Sequence, residues 1–311
     1  MEKLKLITHN GSFHADDVFA AATIILYLEK KESNSSAQGG PALGWEIIRT
    51  RDEEIIKKGD FVFDVGLVYD KEKNRFDHHQ IGGAGKREDT GIEYASFGLV
   101  WEKYGEAVCG SREVADFLEK KIAQPIDAGD NGIDLIELKT NVRPYFLQTF
   151  LKLFIPSWKN VDEESLLVGF LEAVNFAKNL LRKEIELALD YKEGEEKVKE
   201  FYQKAEDKRV VVLDQKYPWL DVATTFPETL FVVFPRINDN TWGAEGVFVG
   251  LPSFEKRKNF PESWAGLKDE ALEKETGVKG AVFCHRGRFM VVAKTKEAVL
   301  ELVNLTLKNN N

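Results

Sequence analysis

Residues 8–17, T-H-N-G-S-F-H-A-D-D, hold two of the chain's five histidines and two of its carboxylates. Neutral imidazole together with carboxylate oxygen suits borderline divalent ions such as Mn²⁺, Zn²⁺ or Fe²⁺, whereas an all-oxygen set suits Mg²⁺ or Ca²⁺. A second group follows in residues 74–80, N-R-F-D-H-H-Q, where Asp77 precedes the adjacent His78 and His79. On an extended segment neighbouring side chains point to opposite faces, so one histidine is expected to bind metal and the other to face substrate. Asp64 lies between the two groups, and D-A-G-D-N-G at 127–132 follows them, its glycines permitting tight turns close to a ligand. Each piece has a plainer reading. Asp16 or Asp17 can N-cap a helix, Asp64 can form a turn before Gly66, and a His-His pair can sit on the surface. Four of the five histidines fall within the first 79 residues together with Asp16 and Asp64, and that clustering favours metal chemistry. Spacing leaves open which of Asp127 and Asp130 takes part.

Several elements must position these residues. Residues 4–7 read as a buried strand, and Val18, Ala21, Ile25 and Leu28 repeat at helical spacing. His9, His14 and Asp16 therefore fall on a strand-to-helix loop, and in an open α/β sheet such loops lie at the carboxyl ends of the strands, where ligands bind. Residues 60–66 read as a second buried strand that brings Asp64 to the same edge. A polar loop is expected over 31–41, a strand over 45–50 and a short helix over 53–58. Helices are expected over 93–104 and 111–122, the latter capped by Ser111. Residues 161–205 are helical and strongly charged, with Leu166, Phe170, Val174 and Ala177 on one face, as in a connector. Strands at 209–213, 230–234, 246–251, 281–284 and 289–293, with helices at 268–276 and 296–307, complete the chain. The expected class is α/β, with a parallel-sheet catalytic domain over 1–160, a helical connector over 161–205 and a smaller α/β accessory domain over 206–311.

Composition narrows the functional classes. A chain of 311 residues is long for a single core, in keeping with two domains. The formal net charge of -9 argues against wrapping long duplex DNA, yet permits a small anionic substrate held by metal and a few arginines. Cys109 and Cys284 stand alone, so neither a disulfide framework nor a thiolate zinc site is expected, and a cytoplasmic, reducing location is. G-G-A-G-K at 82–86 lacks the first glycine and the Ser or Thr of a phosphate loop and reads as a flexible loop beside the site. The first residues form a strand pattern, so no targeting segment is expected. The longest apolar run is about half the ~20 residues of a membrane span.

In order, H-N-G-S-F-H-A-D, Asp64, D-H-H and D-x-x-D-N-G resemble the motifs of the DHH phosphoesterase superfamily, which includes RecJ-type exonucleases, nanoRNases and family II inorganic pyrophosphatases. Over nearly its whole length the chain is similar to the melanocyte-proliferating-gene family, also described as metal-dependent protein hydrolases. I-P-S-W, F-E-K-R-K-N-F-P-E-S-W-A-G-L and V-F-C-H-R-G-R-F carry that closer resemblance, beside T-H-N-G-S-F-H-A-D-D, F-D-H-H-Q and I-D-A-G-D-N-G. It implies a DHH-like domain in which His9, His14, Asp16, Asp64, His78 and one of Asp127 and Asp130 hold two divalent ions, with Asp64 a candidate bridge. His79 would contact the scissile phosphate, with Asp77 beside it in the catalytic set. Pyrophosphatases and RecJ-like enzymes have an aspartate where His14 stands. The nitrogen-richer pocket favours Mn²⁺ first, then Zn²⁺, over Mg²⁺. The last hundred residues resemble the accessory domain that closes over the active site in these enzymes. There His285 would join the catalytic set, and Arg236, Arg257, Arg286 and Arg288 would form a phosphate clamp. Where the relatives have small glycines after the aromatic residue, this chain has Met290, Val291 and Val292 after Phe289.

The function so implied is metal-dependent phosphodiester hydrolysis of short or single-stranded RNA, of 3′–5′ exoribonuclease type, with no membrane partner. One alternative is a phosphohydrolase of a small compound such as pyrophosphate or a dinucleotide, which the acidic charge favours. Another is a peptide or amide hydrolase, although no H-E-x-x-H occurs. A third is a protein that keeps a structural metal and only binds RNA or a partner. Structural zinc usually has four ligands, often cysteines, and no cysteines cluster here.

Overall fold

The computed structural model describes residues 3–36, 44–250, 253 and 255–309. Parts of the expected 31–41 loop and of the expected 246–251 strand lie outside the described residues. β1 (Leu4–Thr8) leads into α1 (Ala15–Ser36), followed by β2 (Trp45–Arg49), α2 (Glu53–Ile56), β3 (Phe61–Phe63), β4 (Tyr69–Asp70) and β5 (Arg75–Phe76). The first sheet has the order β2-β1-β3-β5-β4 and is parallel except for β4, which runs antiparallel to β5 at the edge. Residues 15–26 are all buried, so α1 is a core helix wrapped on every side rather than an amphipathic surface helix. It runs past the loop start expected at residue 31. Ser33 Oγ donates to the Glu29 carbonyl at 2.9 Å, which keeps that polar group satisfied inside the helix.

α3 (Ser96–Cys109) ends on Gly110, whose φ of 76° supplies the left-handed cap that few other residues accept. α4 (Arg112–Leu118), one π turn (Glu119–Ala123) and α5 (Gln124–Asp130) form a continuous helical run, with Ser111 Oγ accepting from Val114 N at 3.3 Å as the capping pattern predicts. Asp127 and Asp130 thus ride a helix and not the tight turns suggested by their glycines. Pro125 suits the first turn of α5, and in 127–132 only Gly132 takes a positive φ. α6 (Leu147–Leu151) precedes α7 (Glu163–Lys204), a single helix of 42 residues. Phe170, Ala173, Val174, Ala177 and Leu181 of α7 are buried in one core with α1 and α3.

The chain divides into two compact units, residues 1–188 and 189–311. The second holds β6 (Val210–Val212), α8 (Leu220–Thr224), β7 (Phe231–Arg236), β8 (Thr241–Gly246), α9 (Asp269–Thr276), β9 (Ala281–Cys284), β10 (Met290–Ala293) and α10 (Lys296–Lys308). Its sheet order is β6-β7-β8-β10-β9, with only β6 and β7 parallel. β8 replaces the strand expected over 246–251. Its sequence, T-W-G-A-E-G, has low strand propensity, but a Cβ on Gly246 would come within 2.8 Å of the Lys258 carbonyl, so close backbone approach requires glycine at that end of the strand. Both sheets are mixed and the class is α/β. Among the described residues no helix is long and apolar enough to cross a membrane.

Candidate metal centre

Three neighbouring strands, β1, β3 and β5, end in His9, Asp64 and the Asp77-His78-His79 segment respectively. From β1 the chain goes to β2 on one side and later to β3 on the other, so His9 and Asp64 straddle the switch point at which open α/β sheets bind ligands. His9 Nδ1 lies 2.9 Å from the Asn10 carbonyl, which can only accept. That bond assigns a proton to Nδ1 and aims Nε2 at the carboxylates, as metal-binding imidazoles commonly do by donating their other ring N–H to a carbonyl. Nε2 is 3.2 Å from Asp64 Oδ2 and 3.3 Å from Asp17 Oδ2. Burial lowers the His9 pKa, but hydrogen bonding to Asp17 and Asp64 outweighs it and pushes the value up to about 10. A cation in the crevice would take the place of that second proton.

Asp64 sits in the left-handed region at φ 55°, costly for a residue with a side chain. Its Oδ1 is 3.5 Å from His78 Nε2 and 3.4 Å from His79 Nδ1. Burial raises its pKa, yet His78 and His9 hold it well below the usual carboxylate range. Asp130 places Oδ2 3.3 Å from His78 Nε2 and Oδ1 3.9 Å from His14 Nδ1. Burial, then the charge on Asp64, pushes Asp16 and Asp130 above the usual range. Three overlapping groups result, His9/His14/Asp64, Asp64/His78/His79 and Asp16/His78/Asp130, each with its donor atoms within 4.8 Å of one another. Among the described residues, Asp17 Oδ2, Asp64 Oδ1 and His78 Nε2 are buried and have only these longer ion-pair contacts, with no partner in hydrogen-bond geometry. Buried polar atoms are rarely left in that state, and lone pairs converging without partners are what a divalent cation needs. The donor set fits metal.

The capping alternatives resolve in an unexpected way. Asp17 Oδ1 accepts from His14 N at 2.9 Å, half of a capping box on α1. Asp16 instead caps α3, accepting from Ser96 N at 3.1 Å and Phe97 N at 2.6 Å, while its Oδ2 remains 3.9 Å from His78 Nε2. Asp127 joins it there, accepting from Gly98 N at 3.1 Å. The N-cap of α3 is Ala95, which has no capping side chain, so two carboxylates from other helices satisfy its free amides. The second oxygen of Asp127 binds Arg87 Nη2 at 2.7 Å. Burial pushes the Asp127 pKa up to about 7 against the pull of Arg87. Asp127 is in none of the three donor groups, and Asp130 is in one.

His78 and His79 do not face opposite ways. Their ring centroids are 4.3 Å apart and both rings approach Asp64. The extended backbone stops at Phe76, and Asp77 Oδ1, accepting from His79 N at 3.1 Å, turns the chain. The same oxygen is 2.8 Å from His79 Nδ1, a contact that raises the His79 pKa.

The MYG1 exonuclease family model, described as an uncharacterised protein family (UPF0160), matches residues 5–307. The chain belongs to the MYG1 family. A MYG1 protein of Chlamydia muridarum is 31% identical over 309 residues, covering 97% of this chain and 96% of its own. One from Dictyostelium discoideum is 28% identical over 347 residues, covering 100% and 98%. A human relative, named MYG1 exonuclease, is 28% identical over 339 residues, covering 96% of this chain and 85% of its own.

Two arginines of this MYG1 chain support the site without any motif to announce them. Arg87, nearly fully buried, pairs with Asp127 and Glu119 and lies 4.2 Å from the Tyr94 ring. Arg49 donates to the Gly11 carbonyl at 2.8 Å and stacks 4.7 Å from the Phe170 ring and 5.4 Å from Phe13, tying the His9–His14 loop to α7. In the second unit, His285 accepts from Gly287 N at 2.9 Å through Nδ1 and packs 4.2 Å from Phe289. Arg286 and Arg288 flank that turn, Arg286 exposed and Arg288 half-buried at φ 58°. Arg257 differs from a free clamp residue. Its guanidinium donates to the carbonyls of Thr224 at 2.6 Å, Thr229 at 2.9 Å and Phe226, which employs it inside the fold. Arg236 pairs with Asp239 at 3.2 Å.

Proposed function

We propose that this MYG1-family chain is a metal-dependent phosphodiesterase that trims short or single-stranded RNA, of 3′–5′ exoribonuclease type. The observation that carries the reading is the convergence of His9, His14, Asp16, Asp64, His78 and Asp130 on one crevice, with unpartnered buried donor atoms at its centre. The relatives named exonuclease and the DHH-like motifs supply the reaction class. The six residues would hold two divalent ions, Mn²⁺ first, with Asp64 between them. Such ions, when bound, neutralise phosphate charge and acidify a water nucleophile.

The chain's own residues do the rest. Asp77 fixes the proton on His79 Nδ1 and favours the imidazolium, leaving Nε2 free to donate to a phosphoryl or leaving oxygen. His9 is held in its ligating tautomer by Asn10. His285, Arg286 and Arg288 are proposed as phosphate contacts of the second unit, which read backbone and not sequence. The test incubates the protein with Mn²⁺ and end-labelled RNA oligomers beside His78→Ala and His79→Ala. Stepwise release of nucleotides by the unsubstituted chain is expected, with a loss of about 10²–10⁴ for His79→Ala. No release by the unsubstituted chain, or equal release by His78→Ala, sinks the proposal.

A further inference from the structure

The crevice does not end at the metal groups. It opens into a cavity of about 750 Å³ whose lining includes His9, His14, Asp64 and His79 and also Arg51, Leu67 and Val68. Ions and a single phosphate need far less room, and the volume lies within the ~300–1,000 Å³ of organic ligand sites.

Two features of this lining point to what fills the cavity. The turn after β3 carries three positive φ angles, Asp64 at 55°, Gly66 at 100° and Leu67 at 56°. For a branched residue such as Leu67 that conformation is unfavourable, and strain of this kind gathers where a ligand is held. Asp77 Oδ2, accepting from Leu67 N at 2.6 Å, maintains it. The leucine gains no burial in return. It is 63% exposed and Val68 48%, so the turn spends strain to present two aliphatic side chains beside the reacting centre. The second feature is charge. Of the cations lining the cavity, Lys57 pairs with Glu54 at 2.7 Å, Lys73 pairs with Asp70 at 3.0 Å, and Arg75 donates to the carbonyls of Gly59, Lys73 and Asn74. Arg51 is exposed and makes no ion pair or hydrogen bond among the described residues. It follows β2 by two residues and so stands at the same carboxyl edge as the candidate ligands.

We infer that this cavity is a nucleotide subsite: Leu67 and Val68 support the base or sugar of one residue, and Arg51 holds the phosphate next to the one at the metal groups. An aliphatic ledge with an uncompensated guanidinium matches a unit that is apolar on its base face and anionic at its phosphate, and it does so without reading sequence. The inference rests on the phosphodiesterase reading and narrows it to substrates longer than a lone phosphate compound.

The test is equilibrium binding of a fluorescein-labelled ribohexanucleotide in Mn²⁺, measured by anisotropy in a His79→Ala background that suppresses turnover. Adding Arg51→Ala should weaken binding about tenfold, the equivalent of one charge-assisted hydrogen bond, with Arg51→Lys intermediate, and Leu67→Asn should weaken it about tenfold through the lost apolar contact. Asn is chosen because it tolerates the left-handed backbone. Mn²⁺ stoichiometry by calorimetry should match the parent. Arg51 is exposed and takes part in no hydrogen bond among the described residues, so its replacement should leave the melting temperature at the parent's value, which a thermal melt checks. Parental affinity in both variants overturns the inference, as does absence of binding by the parent. If the native chain cleaves RNA while the variants bind like the parent, the subsite alone falls. If binding depends on Arg51 and Leu67 but the native chain cleaves nothing, the phosphodiesterase reading alone falls.

Discussion

Asp130 Oδ2 lies 3.3 Å from His78 Nε2, whereas Asp127, one turn earlier on α5, turns its carboxylate onto Arg87 Nη2 at 2.7 Å. One helix therefore carries a buried acid, Asp127, and a half-buried one, Asp130, with separate work, and the two should fail differently. Asp130→Asn is expected to weaken Mn²⁺ binding at least about tenfold with little change in melting temperature. Asp127→Asn should leave Arg87 short of a counter-charge and cost on the order of 3 kcal/mol of stability. Calorimetric Mn²⁺ titration and thermal melts of both variants check the assignment. The opposite pattern would refute it.

Gly98 is expected to tolerate no side chain. A Cβ there would fall on the Asp127 carboxylate and come within 2.6 Å of Arg87 Nη2. Alanine would ordinarily gain up to about 1 kcal/mol in a helix interior. Here overpacking of a buried ion pair should prevail and leave Gly98→Ala about 1–3 kcal/mol less stable in urea unfolding. A variant as stable as the parent would show that α3 and α5 can part without cost.

Removing metal should loosen the first unit. Without a cation the crevice crowds Asp16, Asp17, Asp64 and Asp130 around two buried imidazoles, and burial raises the pKa values of Asp16, Asp17 and Asp130. Addition of Mn²⁺ to the chelator-treated protein at a hundredfold excess over its dissociation constant should add about 2.7 kcal/mol to the unfolding free energy. His9→Gln should lose most of that increment. A melting temperature indifferent to Mn²⁺ and to chelator would remove the metal centre from consideration.

Both thiols should be inert in the native protein. Burial pushes Cys109 up to about 12 despite Lys30, and Cys284 up to about 11 despite Arg288. The reactive species is the thiolate, so at pH 8 its fraction is on the order of one in a thousand or less. Reactivity should rise with pH toward those values, and a disulfide reagent at pH 8 should modify both cysteines only after denaturation. Rapid modification of the native chain would contradict their burial.

Much of the site's raw material was legible in the residues. Local periodicity marks β1 and α1, and so places His9 and His14 on the loop between them, because hydrophobic spacing is a property of a few consecutive residues; Asp16, expected on that loop, falls in the first turn of α1. The same reasoning sets Asp64 near the end of the second strand, which the structure ends at Phe63, whereas it reads the histidine pair only as part of an extended 74–80 segment. Tertiary structure decided what local pattern cannot encode. It separated Asp127 from Asp130 by means of Arg87, 40 residues away in sequence, and tied the first loop to α7 through Arg49 and Leu166, 117 residues apart. It put His78 and His79 on one side, since the Asp77 turn, and not strand alternation, governs their backbone. It also made a strand of T-W-G-A-E-G, paired on both sides by β7 and β10, with Gly246 admitting the Lys258 carbonyl where a Cβ would come within 2.8 Å. The Asp77 turn is local, a side-chain bond two residues long that overrides strand alternation; in the other cases the deciding partner lies farther along the chain, and the free energy of such contacts leaves no spacing to read.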